Sequence, residues 1–305
     1  MERLLVSCFE RLLSVTITRD GGLGRVRVLH EGMGVYFGLA ARGRAVFAAE
    51  RNLDVAGQRR VEGAPVNAVR KYAPGRFGGL RRSDVALTHP GFSDLHQVAE
   101  DAGALFLTSA TPPWLWRYCL ATHAVTSVPV GDAVPAELAR APDDNPDLYH
   151  FNAIGLRGLS LFLMAHNWGH GSFALELDRA AAHRGEAVRR AVHTDLGEHN
   201  HDVLPDDTGF WTIDSRFGTL VRAERDGSRH RYPLESPQGR IFPRGLARLR
   251  NGRLAVGYGL WSSERAARAQ TPSFFRIFDP GTGSFGPELP LGDHGNTCAV
   301  MTQPR

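Results

Sequence analysis

The chain has 305 residues, 42% hydrophobic and 22% charged, with 34 glycines and 18 prolines spread along its length. That composition supports a large core, excludes a disordered polypeptide, and marks no linker, so residues 1–305 are expected to form a single domain. The formal charge is +4, but the basic residues are scattered singly and Lys71 is the only lysine, so no basic stripe for nucleic acid emerges.

At the N-terminus an apolar run from Leu4 to Phe9 is broken by Glu10 and Arg11. It is too short for a signal-peptide core or a membrane span, so a cytoplasmic protein with no membrane partner is the default expectation. Cys8, Cys119 and Cys298 are odd in number and lack the close pairing of a zinc ribbon or redox motif, which predicts buried free thiols.

Residues 3–7, 12–18 and 25–29 read as three strands, followed by one near Val35 and another at 44–48. The same hairpin then recurs. A short strand opening on a polar tripeptide crosses a turn such as Asp101-Ala102-Gly103, Arg157-Gly158, Asp206-Asp207 or Asn251-Gly252 into an apolar strand, at 104–108, 159–163, 209–213 and 253–257. Third strands fit at 115–120, 173–177, 220–224 and 274–278, while residues 136–140 and 264–269 read as short helical pieces.

The tripeptides are Asp94-Leu95-His96, His150-Phe151-Asn152, His199-Asn200-His201 and His294-Gly295-Asn296, spaced by 56, 49 and 95 positions. The long interval holds a skipped unit, where Phe242-Pro243-Arg244 takes the place of the histidine motif. About four short strands per unit is the signature of a propeller blade. Six first strands are counted, and the last has too little chain after it to complete a blade. The expectation is therefore an all-β, six-bladed β-propeller, closed by N- and C-terminal strands in one blade.

Residues two apart on a strand share a face, and the first strand of each blade lines a propeller's channel. His96, His150, His199, His201 and His294 are therefore predicted to converge on one mouth. Loops after the second strands bring Arg51, His166, Trp168, Arg216 and Trp261 towards the same end. Neutral imidazoles in such a ring are ligands for a divalent transition metal, with zinc the first choice and iron or copper the alternatives. Arg244 and His166 are the candidate catalytic groups, and Arg51, Trp168, Arg216 and Trp261 the candidate substrate-binding ones. His30, His89, His123, His183, His193 and His230 read as loop or outer-strand surface residues. No G-x-S-x-G elbow, phosphate-binding loop, H-E-x-x-H helix or dinucleotide fingerprint is present, and the Trp-Asp ending of WD40 blades is missing.

On these residues the chain resembles six-bladed propellers of the NHL-repeat and gluconolactonase-like superfamily. Its histidines are similar to those of the peptidyl-hydroxyglycine lyases, whose zinc sits on three histidines from different blades. That likeness implies His96, His150, His199 or His201, and His294 as ligands. It departs from gluconolactonases, which bind calcium mainly through Glu, Asn and Asp oxygens. Asp94-Leu95-His96-Gln97 and His150-Phe151-Asn152-Ala153 also resemble an uncharacterised bacterial propeller family, which implies the fold and no activity. The functional expectation is a metal-dependent lyase, hydrolase or isomerase acting on a small anionic or peptidic substrate. The alternative is a non-catalytic propeller that binds a ligand or protein partner.

Overall fold

The computed structural model describes residues 1–31, 34–53, 57–75, 80–110, 114–139, 147, 149–264 and 266–303. Strands β1 (Glu2–Cys8), β2 (Arg11–Ile17) and β3 (Leu23–Glu31) open the chain. A second blade follows as β4 (Val35–Arg42), β5 (Ala45–Arg51), β6 (Asn67–Pro74) and β7 (Leu80–Leu87). The third is β8 (Leu95–Asp101), β9 (Ala104–Ser109), β10 (Trp114–Cys119) and β11 (Val125–Val128). The fourth is β12 (Phe151–Arg157), β13 (Ser160–Ala165), β14 (Phe173–Asp178) and β15 (Arg189–His193), with helix α1 (Arg179–His183) between the last two. The fifth is β16 (Asn200–Pro205), β17 (Gly209–Asp214), β18 (Thr219–Glu224) and β19 (Arg229–Pro233). The sixth is β20 (Ile241–Arg248), β21 (Leu254–Leu260), β22 (Ser273–Asp279), β23 (Ser284–Phe285) and β24 (Leu289–Gly292), and β25 (Thr297–Thr302) ends the chain.

These strands form six antiparallel sheets, one per blade of a six-bladed β-propeller, and β25 pairs with β1 so that both chain ends share a sheet. The expected fold class and closure are therefore as the repeat count implied. The helical pieces differ. Residues 136–138 form a turn and Arg140 lies outside the described residues, while among the described residues of the 264–269 segment only Ala267–Ala269 is a helical turn. Helix α1 was not anticipated; Asp178 caps it by accepting from the Ala181 N–H at 2.8 Å.

The chain divides into two compact units of three blades each, Met1–Thr88 with Tyr232–Arg305, and His89–Arg231. In the first, Leu4, Val6, Leu13, Val15, Phe275 and Val300 pack into one apolar cluster, with a second around Tyr36, Val46 and Tyr72. Buried Glu50 accepts from the Tyr72 hydroxyl at 2.5 Å and from Arg82 at 2.7 Å. In the second unit, Phe106, Phe151, Leu163, Phe173 and Leu175 form the core. There Asp101, 5% exposed, accepts from Arg179 and pairs with His183 at 2.7 Å.

Three histidines first read as surface residues are thus tied into the fold: His183 to Asp101, His193 to Glu176 at 3.2 Å, and His30 to the Tyr36 hydroxyl at 2.5 Å. Among the thiols, Cys8 is buried, whereas Cys119 and Cys298 are partly exposed.

The first strands carry the feature that shapes the site. Register shifts interrupt β8 after Leu95, β12 after Phe151 and β16 after His201, so β8 and β12 bulge within the opening tripeptide and β16 just past it. A bulge re-aims the side chains around it, which strict alternation cannot anticipate. The residue before the strand is left-handed in each case: Asp94 (φ 45), His150 (φ 44) and His199 (φ 54).

Candidate metal centre

All of the tightly grouped imidazoles belong to the unit His89–Arg231. Each blade pairs the start of its first strand with the end of its second, as in Leu95↔Ser109, Phe151↔Ala165 and Asn200↔Asp214. The opening tripeptide therefore meets the loop after the second strand. The His166 N–H donates to the His150 carbonyl at 3.4 Å, and the Ala110 N–H donates to that of Asp94 at 3.2 Å.

The rings form a chain. His96 meets His150 edge-on at 4.5 Å between centroids, His150 stacks on His166 at 4.5 Å, and His166 meets His201 at 4.5 Å. Trp168 closes over them, 5.3 Å from His150, 4.8 Å from His166 and 4.7 Å from His199. His150, His166 and His201 are buried. Beneath them, Asn152 donates to the Asn200 carbonyl at 2.8 Å, and Asn200 donates to the Leu196 carbonyl at 3.0 Å.

Oxygen atoms orient three of the rings. His96 Nδ1 lies 2.8 Å from the Asp94 carbonyl, His150 Nδ1 lies 2.7 and 2.9 Å from the two Asp147 carboxylate oxygens, and His201 Nδ1 lies 2.7 Å from the Ser215 hydroxyl. A carbonyl or carboxylate can only accept, so at His96 and His150 the proton sits on Nδ1 and the lone pair on Nε2. Carboxylate or carbonyl support of that kind is the usual outer shell of a metal-binding histidine.

Asp94, His96 and His150 each offer a ligand atom, all within 4.8 Å of one another. Ligands about 2.0–2.2 Å from a tetrahedral ion stand somewhat closer together than that, so small side-chain rotations would close the set. Two imidazoles and a carboxylate match the donor sets of catalytic zinc and of non-haem iron. Asp94 was missing from the predicted ligands, although it opens the first tripeptide and occupies the left-handed position of His150. His199 and His201 stand on the far side of His166 and fall outside this group. Arg216 in the same unit pairs with Glu198 at 3.0 Å and lies about half exposed over Phe217.

The remaining predicted residues belong to the other unit. His294 sits in the turn before β25, beside Gly292, where burial and then the charge of Arg11 push its imidazole pKa down. The left-handed residue of that blade is Gly295 (φ 81), so this tripeptide is displaced by one position from those of His150 and His199. Arg51 is buried with its guanidinium over Phe37, Arg244 lies over Phe242, and Trp261 is packed by Arg240 and Arg268.

In the His89–Arg231 unit a cavity of about 470 Å³ is lined by residues continuous with the imidazole loops, including His170, Ser172, Glu198 and Asp214. Burial raises the Asp214 carboxyl above the ordinary carboxylate range.

This architecture defines the class as a six-bladed β-propeller, with a histidine-rich cluster in one of its units. No family model and no curated protein matches the chain. Among solved structures, the nidogen/laminin complex includes a chain that aligns with TM-score 0.69 at 10% identity, covering 99% of this chain and 98% of that one. A Bacteroides caccae protein of unknown function aligns with TM-score 0.62 at 11% identity, covering 100% and 99%. A candidate 6-phosphogluconolactonase from Bacteroides fragilis aligns with TM-score 0.55 at 11% identity, covering 98% and 97%. At such identities these likenesses establish the fold alone. Among the described residues, no helix is long and apolar enough to cross a membrane.

Proposed function

We propose that this propeller is a metal-dependent enzyme, a lyase, hydrolase or isomerase, acting on a small anionic or peptidic substrate. The observation that carries the reading is the convergence of Asp94, His96 and His150 ligand atoms, with each imidazole turned by an oxygen on its Nδ1. A divalent transition ion held there, zinc by first choice, supplies Lewis acidity towards a carbonyl or a water molecule. Asp147 holds the His150 ring in place and favours the tautomer that ligates. His166, stacked on His150 and buried, is the side chain positioned to take or return a proton. Trp168 lies against the His150, His166 and His199 rings.

The test is turnover. Untagged protein is assayed on panels of lactones, esters and hydroxyglycine-type adducts, before and after chelation and after return of the metal. The reading predicts activity that chelation abolishes and metal restores, with no restoration in His150→Ala. Activity indifferent to chelation and to that substitution overturns it. A partner captured by folded protein that holds no metal supports the binding-propeller alternative instead.

A further inference from the structure

Both ends of the chain meet in the first sheet, and each brings a cysteine to the seam. Along it, β1 pairs Ser7 with Ala299 but Cys8 with Thr297. Cys298 is therefore the extra residue of a bulge, and Thr297 and Cys298 together stand opposite Cys8.

The packing shows which side each residue takes. On β1, Leu4, Val6 and Cys8 alternate into the apolar cluster that holds Ala247 and Phe275 of the sixth blade, whereas Leu5 joins the cluster of Tyr36 in the second. On β25, Val300 lies in the first of these clusters and Ala299 in the second, with Met301 packed against it. Alternation from Val300 through Ala299 turns Cys298 to the side of Cys8. Thr297 is on that side too, because its hydroxyl donates to the Arg244 carbonyl of the sixth blade at 2.7 Å. The sulfurs also act on one another: after burial, the neighbouring Cys298 is the next influence that pushes the Cys8 thiol up.

Residues opposed across an antiparallel pair have Cα atoms roughly 4.5–5.5 Å apart, inside the span of about 4.4–6.8 Å that a disulfide bridges. Cys8 is buried and Cys298 partly exposed, so a soluble oxidant meets Cys298 first.

We infer that Cys8 and Cys298 form a redox clasp, in which a low-molecular-weight disulfide converts the two thiols to an intramolecular disulfide joining the N- and C-terminal strands. The Cys298 thiolate attacks one sulfur of the small disulfide, giving a mixed disulfide and releasing one small thiolate. Cys8 then gives its proton to solvent and attacks Cys298 Sγ, expelling the second. Two protein thiols are oxidised by two electrons, and one small disulfide is reduced to two thiols that carry the two protons. The clasp acts where closure is otherwise noncovalent, since β25 is the edge strand of its sheet and bonds to β1. A cross-link between the two chain ends restricts chiefly the unfolded chain, and so stabilises the closed propeller. This inference goes beyond the proposed function and needs no metal.

In the experiment, the reduced, full untagged chain is incubated with oxidised glutathione and a chelator, in native buffer and in urea. It is then quenched by alkylation, digested without reduction and read by mass spectrometry. The expected result is a linked Cys8–Cys298 peptide pair formed in native buffer, retained in Cys119→Ser, with a thermal midpoint raised by roughly 5 °C or more over the reduced protein. Cys298→Ser, whose site is partly exposed and whose folding circular dichroism checks, should show neither the link nor a shift of midpoint with oxidant. A link that forms only in urea, glutathione left on Cys298 without closure, no reaction at either cysteine, or linked protein that melts no higher than reduced protein overturns the inference.

Discussion

Replacing His150 by alanine and, separately, by glycine isolates the backbone from the side chain. Both changes remove the imidazole, its bond to Asp147 and its stacking on His166. They differ only in a Cβ held at φ 44. A left-handed residue with a Cβ costs roughly 1–2 kcal/mol, whereas glycine elsewhere costs roughly 0.5–1 kcal/mol against alanine through chain entropy. The difference leaves His150→Gly more stable than His150→Ala by about 1 kcal/mol, a reversal of the usual order. In urea unfolding followed by fluorescence, with chelator present so that metal cannot contribute, this is a midpoint shift of about 0.3 M at unchanged slope. The position directly before β4 is a left-handed glycine, Gly34 (φ 96). The His150 conformation therefore carries backbone strain that its side-chain contacts must offset. An alanine variant more stable than the glycine variant by 0.5 kcal/mol or more would falsify the left-handed geometry and the strain argument built on it.

Other outcomes follow from particular contacts. Asp147→Ala should weaken metal binding by about 10- to 100-fold while leaving one site per chain, as measured by competitive titration against a zinc-binding dye; unchanged affinity removes Asp147 from the site. Cys119, whose thiol is lowered to about 7 by the Thr122 hydroxyl and by the backbone N–H groups of Thr122 and Ala121, should be alkylated by iodoacetamide with a rate that rises through neutral pH. Cys8 should stay unlabelled until unfolding, because burial raises its pKa; mass spectrometry reads both, and equal labelling refutes the assignment. Glu176 is held below the usual carboxylate value of 4.5, first by the hydrogen bond with His193. Its contribution is present above that value and is lost as pH falls through the lower folded value. Glu176→Gln should therefore lower stability at pH 7 and flatten the acid limb of a stability–pH curve, and an unchanged limb contradicts the coupling.

Much of the fold was legible in the sequence because each blade repeats a turn followed by an uninterrupted apolar strand, as in 104–108 and 209–213. Closure could be read from the short remainder after His294. What could not be read was register. Bulges after Leu95, Phe151 and His201 are set by the partner strand, and they move side chains away from simple alternation. The displacement of His294 against Gly295 depends on ladder positions that composition does not reveal. Asp94 is visible in its tripeptide, but a single aspartate before a strand does not stand out as a ligand from sequence, because Asp is common at turns. Asp147 reaches His150 from outside any repeat, so no spacing could have pointed to it.

The most direct measurement of the central claim is elemental analysis of untagged protein beside a His96→Ala/His150→Ala variant shown to be folded. Metal near one equivalent in the unaltered chain, as purified or after reconstitution with zinc, iron or copper, and none in the variant is the predicted result. Metal absent from the unaltered chain even after reconstitution, or retained in full by the variant, contradicts a centre built on Asp94, His96 and His150.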